Sequence, residues 1–319
     1  MGNAPSAGPE RQETVKLRSS RYALEIVPKL GATILSLTRE GDDILRSSSL
    51  EDCARDPCRS ACFPCVPYFG RLPNIFSYGD VTGNLAPTLP SADTHFALHG
   101  EACVSAWRIL SQHTDQLALG FDHDAKAPGG FPFPYRAEYG VSLTDNAATL
   151  TLRLKNIGEK TMPAGLGLHP YFRRLETTRV TFKASQYWRP PDIDADAPAG
   201  DGPAGRAAQN DTQPRRTPLG GLSDRPDAIG GGGSASLPGH TRDNTYLGFH
   251  GIARIEDDHG VTEIRSTAPM LHLYAPENAD FFCLEPVTHA PGAFLSDDPG
   301  LAGKALGPGE QIEISLSIV

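Results

Sequence analysis

The sequence predicts an all-β protein of antiparallel strands, arranged as a sandwich or a barrel. Three observations lead there. Apolar and polar residues alternate with period two along several segments, and no long segment repeats apolar residues at helical spacing. In addition, 28 prolines and 33 glycines are spread over 319 residues, which suits many short strands joined by turns. The strand–helix alternation that would imply a parallel sheet is absent.

Taken in chain order, Leu117, Leu119 and Phe121 alternate with polar or small residues, as do Tyr139, Val141 and Leu143. Leu150, Leu152 and Leu154 alternate with Thr151, Arg153 and Lys155. Each run gives a strand with one buried face. Asp145-Asn146, lying between two of these runs, predicts a hairpin turn. Asp257-Asp258-His259-Gly260 predicts another, between Ile252–Ile255 and Val261–Ile264. Gln311 to Ile318 alternates throughout and predicts the last strand. Residues 189–242 are rich in Pro, Gly, Asp and Ala, with Gly230 to Gly233 in a row. They read as a long excursion from one domain spanning 15–319, preceded by a polar tail over 1–14. The glycine run is no phosphate loop, since neither Gly-Lys-Ser/Thr nor a helix follows it.

The formal charge is -9 and the pI about 5.6. With no lysine or arginine run, this balance argues against a nucleic-acid or anionic-membrane partner. The first 15 residues lack the basic start and apolar stretch of a secretion signal. No window approaches the roughly 18 apolar residues that span a bilayer. A cytoplasmic location follows as the expectation. Cys53, Cys58, Cys62 and Cys65 crowd together and raise the question of a metal site. Yet Cys62 and Cys65 sit in an apolar, extended stretch, where residues three apart point to opposite faces. One ion could not easily reach both, so buried free thiols are expected and no metal is assigned.

Three stretches place polar groups and turn formers amid apolar strands. They are Leu98-His99-Gly100, followed by Trp107; Gly165 to Phe172, which holds His169-Pro170-Tyr171; and Phe281 to His289, which holds Glu285-Pro286. A carboxylate after four apolar or semi-apolar residues is partly desolvated, which raises its pKa and makes it a base near neutrality. An imidazole in apolar company can donate a proton there. Taken singly, Glu285 also fits a solvated strand end, and His169 or His99 a core histidine bonded to backbone.

Taken together, and in this order, these stretches resemble the aldose 1-epimerase (galactose mutarotase) family. The resemblance extends from about residue 15 to the C-terminus. It includes Asp243-Asn244-Thr245-Tyr246 and Leu306 to Glu310 before the last strand. It implies a large antiparallel β-sandwich of the galactose mutarotase-like supersandwich type. The implied activity interconverts the α- and β-anomers of a free aldohexose by acid–base ring opening and closure. Glu285 would be the base and His169 the acid, while Arg71, His99 and Asp243 would bind the sugar, and Trp107 would either stack on it or pack in the core. A small-molecule sugar is the implied partner, no cofactor or metal is needed, and the chain would act as a monomer or homodimer. One departure stands out: Gly70 precedes Arg71 where the family usually has Asn. A catalytically silent sugar-binding homologue and a hexose-6-phosphate 1-epimerase using Arg71, Arg173 and Arg174 stay open as alternatives.

Overall fold

Period-two alternation becomes cross-strand rows once the strands pair. Leu117, Val141, Leu150 and Leu316 are successive neighbours across four strands, and Leu119, Tyr139, Leu152 and Ile314 form the next row. All eight are buried, and a fully buried leucine contributes about 1.5–3 kcal/mol. The computed structural model describes residues 13–89, 96–189, 221–223, 229–237 and 239–319. Most of the predicted tail and most of the predicted 189–242 excursion lie outside the described residues.

These rows belong to a nine-stranded sheet. Its order is Arg108–Gln112, Gln116–His123, Tyr135–Leu143, Ala148–Asn156, Gln311–Ile318, Gly260–Ser266, Ile252–Asp257, Arg179–Phe182 and Ala235–Ser236. Both predicted hairpins are present. Leu143 pairs Ala148 around Asp145-Asn146, and Asp257 pairs Gly260 around Asp258-His259.

An eight-stranded sheet packs against this one. It runs Gly221–Ser223, Gln186–Arg189, Arg242–Leu247, Met270–Ala275, Phe281–Val287, Gly167–Leu168 and Pro64–Cys65, with Tyr171–Arg173 also pairing Phe281–Val287. Every pairing in both sheets is antiparallel. One face of the second sheet carries Tyr246, Leu271, Leu273, Phe282 and Leu284, which join the nine-stranded sheet's apolar face in one core. The opposite face carries Leu247, Met270, Cys283 and Val287, which belong to a second cluster with Phe63, Cys65, Phe69 and Tyr171. This sheet is therefore covered on both sides, and its central strands Met270–Ala275 and Phe281–Val287 read as nearly continuous apolar runs.

A four-stranded sheet of Val15–Arg18, Tyr22–Val27, Thr33–Arg39 and Asp42–Asp43 and several two-stranded ribbons complete the described strands. Helix is confined to Leu50–Arg55, whose Ser49 hydroxyl accepts the Asp52 N–H at 3.0 Å, and two single 3₁₀ turns. That capping bond satisfies one of the orphan donors at the helix start. Cys62 lies in the main core and Cys65 in the second cluster, on opposite sides of the chain. All six cysteines are free thiols. Trp107 is buried in the main core, packed on Phe121 and Tyr139, with its indole N–H donating to the Ala102 carbonyl. Of the two roles the sequence leaves open for it, stacking on a sugar or packing in the core, the structure shows core packing. Among the described residues no helix is long and apolar enough to cross a membrane.

Candidate active site

Antiparallel register decides which polar groups meet on the outer face of the eight-stranded sheet. Thr245 pairs His272, and His272 pairs Glu285, so their side chains share that face in one row. Asp243, Tyr274 and Cys283 form the adjacent row. Beyond Cys283 comes Tyr171, and beyond Val287 comes Gly167. Position 169 therefore lies level with Glu285. Its own N–H leaves the ladder to donate to the Phe63 carbonyl at 3.0 Å.

His169 Nε2 and Glu285 Oε2 lie 3.3 Å apart, with residue exposures of 6% and 1%. The contact lacks hydrogen-bond alignment: among the described residues Glu285 Oε2 and His169 Nδ1 have no hydrogen-bond partner. Leaving such buried groups unsatisfied costs roughly 1–3 kcal/mol each. The His169 ring is stacked between Phe63 and Tyr171, at centroid distances of 4.6 and 4.7 Å. Loss of water pushes the Glu285 carboxyl well above its ordinary range, and the Asp243 charge adds to the rise. Burial pushes His169 well below its ordinary value, helped by His99 and His272. Both groups are thus biased toward their neutral forms.

His99 meets the His169 ring edge-on at 5.1 Å. It has φ of 60°, and its backbone N–H donates to the Gly70 carbonyl at 2.9 Å. Gly70 returns its N–H to His99 Nδ1 at 3.1 Å, which assigns the imidazole proton to Nε2. Burial, then the Arg71 charge, lower the His99 pKa to about 3. It is therefore a neutral N–H donor at neutral pH. Arg71 itself is exposed on the Arg71–Pro73 strand, paired with Leu98. The Phe69 ring lies 5.1 Å from both His99 and His272 and fixes their spacing.

Asp243 does not stand alone. Its Oδ1 is 3.1 Å from His272 Nε2, and His272 Nδ1 is 2.8 Å from the Thr245 hydroxyl. The imidazole thus clamps one carboxylate oxygen and is itself held. His272 escaped the sequence reading because a histidine inside Met270-Leu271-His272-Leu273 looks like any core histidine; only the pairing with Glu285 reveals it. Arg46 was also missed. Its guanidinium lies 4.3 Å over Tyr171 and 4.5 Å over Phe281, and it donates to the Cys58 and Ser60 carbonyls. The third sequence stretch includes His289, whose Nε2 accepts the Phe69 N–H at 2.9 Å, a structural bond. Of the arginines weighed for phosphate, Arg174 donates to the Pro276 carbonyl. Among the described residues, the one set of three His, Cys, Asp or Glu side chains close enough for a single ion is His169, Cys283 and Glu285.

The two large antiparallel sheets with a buried His–Glu pair on the outer face of one define a galactose mutarotase-like β-sandwich. The aldose 1-epimerase family model matches residues 13–318, and the chain belongs to that family. The uncharacterized protein YphB of Escherichia coli K12 is 28% identical over 302 residues, covering 90% of this chain and 92% of YphB. The crystal structure of a candidate aldose 1-epimerase from Escherichia coli K12 superposes with a TM-score of 0.76 at 26% identity, over 96% of this chain and 98% of that one. A galactose 1-epimerase from Lactobacillus acidophilus shares the fold, with a TM-score of 0.65 at 16% identity over 99% and 96% of the two chains.

Two predictions follow from this geometry. A Cβ on Gly70, at φ of 75°, would lie 2.6 Å from Pro291 Cβ. Placing a side chain there by Gly70→Asn should therefore cost about 1–3 kcal/mol in urea unfolding, and an unchanged midpoint would count against the clash. Glu285→Gln should stabilise the fold by about 0.5–2 kcal/mol. The raised native pKa means that the unfolded chain releases this proton first, so wild-type stability falls as pH climbs above about 4.3. The melting-temperature gap between variant and wild type should widen over the same range.

Proposed function

We propose that the chain is an aldose 1-epimerase acting on a free aldohexose, with Glu285 as base and His169 as acid. The observation that supports this most is the 3.3 Å separation of the two groups in a water-poor setting. Anomer exchange requires two proton transfers at two oxygens on one carbon. Glu285 takes the proton of the C1 hydroxyl while His169 protonates the ring oxygen, the bond from C1 to that oxygen breaks, and the open aldehyde forms. Rotation about C1–C2 and the same steps in reverse give the other anomer. The pair works with one proton between them. In the sugar's absence burial favours neutral Glu285 and neutral His169; hydroxyls of a bound sugar supply hydrogen bonds that favour the ionised arrangement.

The remaining groups orient the ring. His99 offers its Nε2 proton, Asp243 offers the carboxylate oxygen that His272 leaves free, and Arg71 offers its guanidinium at the exposed edge.

Polarimetry of freshly dissolved α-glucose and α-galactose tests the proposal. His169→Ala and Glu285→Ala should each lower turnover at least about 10²-fold with circular dichroism unchanged. Equal decay of rotation with and without wild-type protein would favour a silent sugar-binding homologue, and strong competition by glucose 6-phosphate a phosphorylated substrate. The pH profile gives a second test. His169, lowered by burial, takes up a second proton only well below its ordinary value of about 6.5, and Glu285, raised by burial, keeps its proton past about 4.3. The acid limb of kcat/KM should therefore fall below pH ~6.5; a midpoint at or above that value would count against the pair.

A further inference from the structure

We propose that His169, Cys283 and Glu285 form a binding site for a thiophilic divalent cation of the Zn²⁺ class, and that its occupation inhibits the enzyme. Only the inhibitory half rests on the epimerase proposal above.

Cys283 and Glu285 are two residues apart on Phe281–Val287 and so point to one face. His169 reaches the same place from the neighbouring chain, level with Glu285. One donor atom from each of the three lies within 4.8 Å of the others, and all three residues are buried. Zinc bonds of about 2.0–2.3 Å join donors roughly 3–4 Å apart, so donors already within 4.8 Å of one another need to draw together only slightly to share an ion. Two further observations single this place out. Glu285 Oε2, which faces His169 Nε2 at 3.3 Å, is buried without a hydrogen-bond partner. Cys283 is a free thiol that takes no part in the proposed proton transfers.

The donor set also selects the ion. Imidazole, thiolate and carboxylate suit Zn²⁺ or Co²⁺, whereas Mg²⁺ and Ca²⁺ prefer all-oxygen sites. Thiolate and carboxylate together balance the ion's two positive charges, a requirement in a site this buried. Binding releases the Cys283 thiol proton and the proton shared by His169 and Glu285, both to solvent. Affinity should therefore rise with pH. The bound ion takes the Glu285 lone pair that would accept the C1 hydroxyl proton and occupies the His169 nitrogen that would carry the proton for the ring oxygen, which is why occupation inhibits.

Zn²⁺ titration of the full chain against a chromophoric chelator tests the site without reference to activity. Wild type should hold one ion that Cys283→Ala binds at least about tenfold more weakly, with Cys283→Ser as the conservative control on folding. Co²⁺-loaded wild type should show a thiolate-to-cobalt charge-transfer band that Cys283→Ala lacks. Equal zinc affinity in the variant, or no such band in wild type, overturns the site. In polarimetry Zn²⁺ should inhibit in competition with sugar, a chelator should reverse it, and Mg²⁺ should have no effect. Cys283→Ala should turn over sugar normally and resist zinc at least about tenfold. Zinc bound through Cys283 with epimerisation unaffected overturns the inhibitory half. If the chain turns over no aldose at all, the epimerase proposal fails while the chelator and cobalt measurements still decide the site.

Discussion

The constraint on which the site depends is that the Phe281–Val287 strand is covered on both faces. Phe282 and Leu284 are locked into the core between the two large sheets, so Phe281, Cys283, Glu285 and Val287 must face the other way. That face is covered too, by Phe63, Phe69 and Tyr171. A carboxylate at position 285 is therefore held in that covered layer, with 1% of its surface exposed. Moving it would mean slipping the register by one residue, which would drive the whole apolar set of the strand out of the main core. The proton affinity of Glu285 is thus set by sheet packing, and the packing that raises it is the packing that holds the fold.

The second layer of control is backbone. His99 is placed by a reciprocal pair of bonds with Gly70, one through its ring and one through its amide. The next residue, Gly100, lies so close to the Val66 carbonyl that a Cβ would sit 1.9 Å from that oxygen. The segment leading from Val66 to Arg71 and the turn carrying His99 are thereby pressed together without intervening side chains. Phe69 and His289 brace the same segment from below through the Phe69 amide. Ring positions at the site inherit the precision of these main-chain contacts, and less is left to side-chain rotamers.

How much of this could be read beforehand follows from the range of each signal. Alternation in 148–156 and 311–318 is local and strong, so the strands and both hairpins were legible. His169, Glu285, His99, Arg71 and Asp243 were legible as an ordered set but not one at a time, because each alone looks like a residue common in any protein. The structure gathers His169, Glu285, His99, Asp243 and His272 around Phe63 and Phe69, with Arg71 at the exposed edge. Cys62 and Cys65 fall on opposite sides of the chain, as strand parity, also a local signal, implies. His272 and Arg46 were not legible. Their meaning comes from partners 13 and more residues away, Glu285 across a register and Tyr171 and Phe281 beneath a guanidinium, and no local pattern encodes such distances.

The departure at Gly70 changes meaning once the neighbours are seen. From sequence it is a missing side chain that would have touched sugar. In the fold, the space beyond Gly70 is filled by Pro291, and the Gly70 amide is committed to His99 Nδ1. An Asn at this place could not be added without moving the segment that follows His289. The same commitment determines which His99 nitrogen carries its proton, so the glycine still acts on the His169–Glu285 cluster, by orienting the neutral imidazole beside it. Loss of the side chain and retention of a polarised His99 are therefore compatible. At this edge the hydrogen bond comes from a main-chain amide, that of Gly70, and reaches the cluster through the His99 ring.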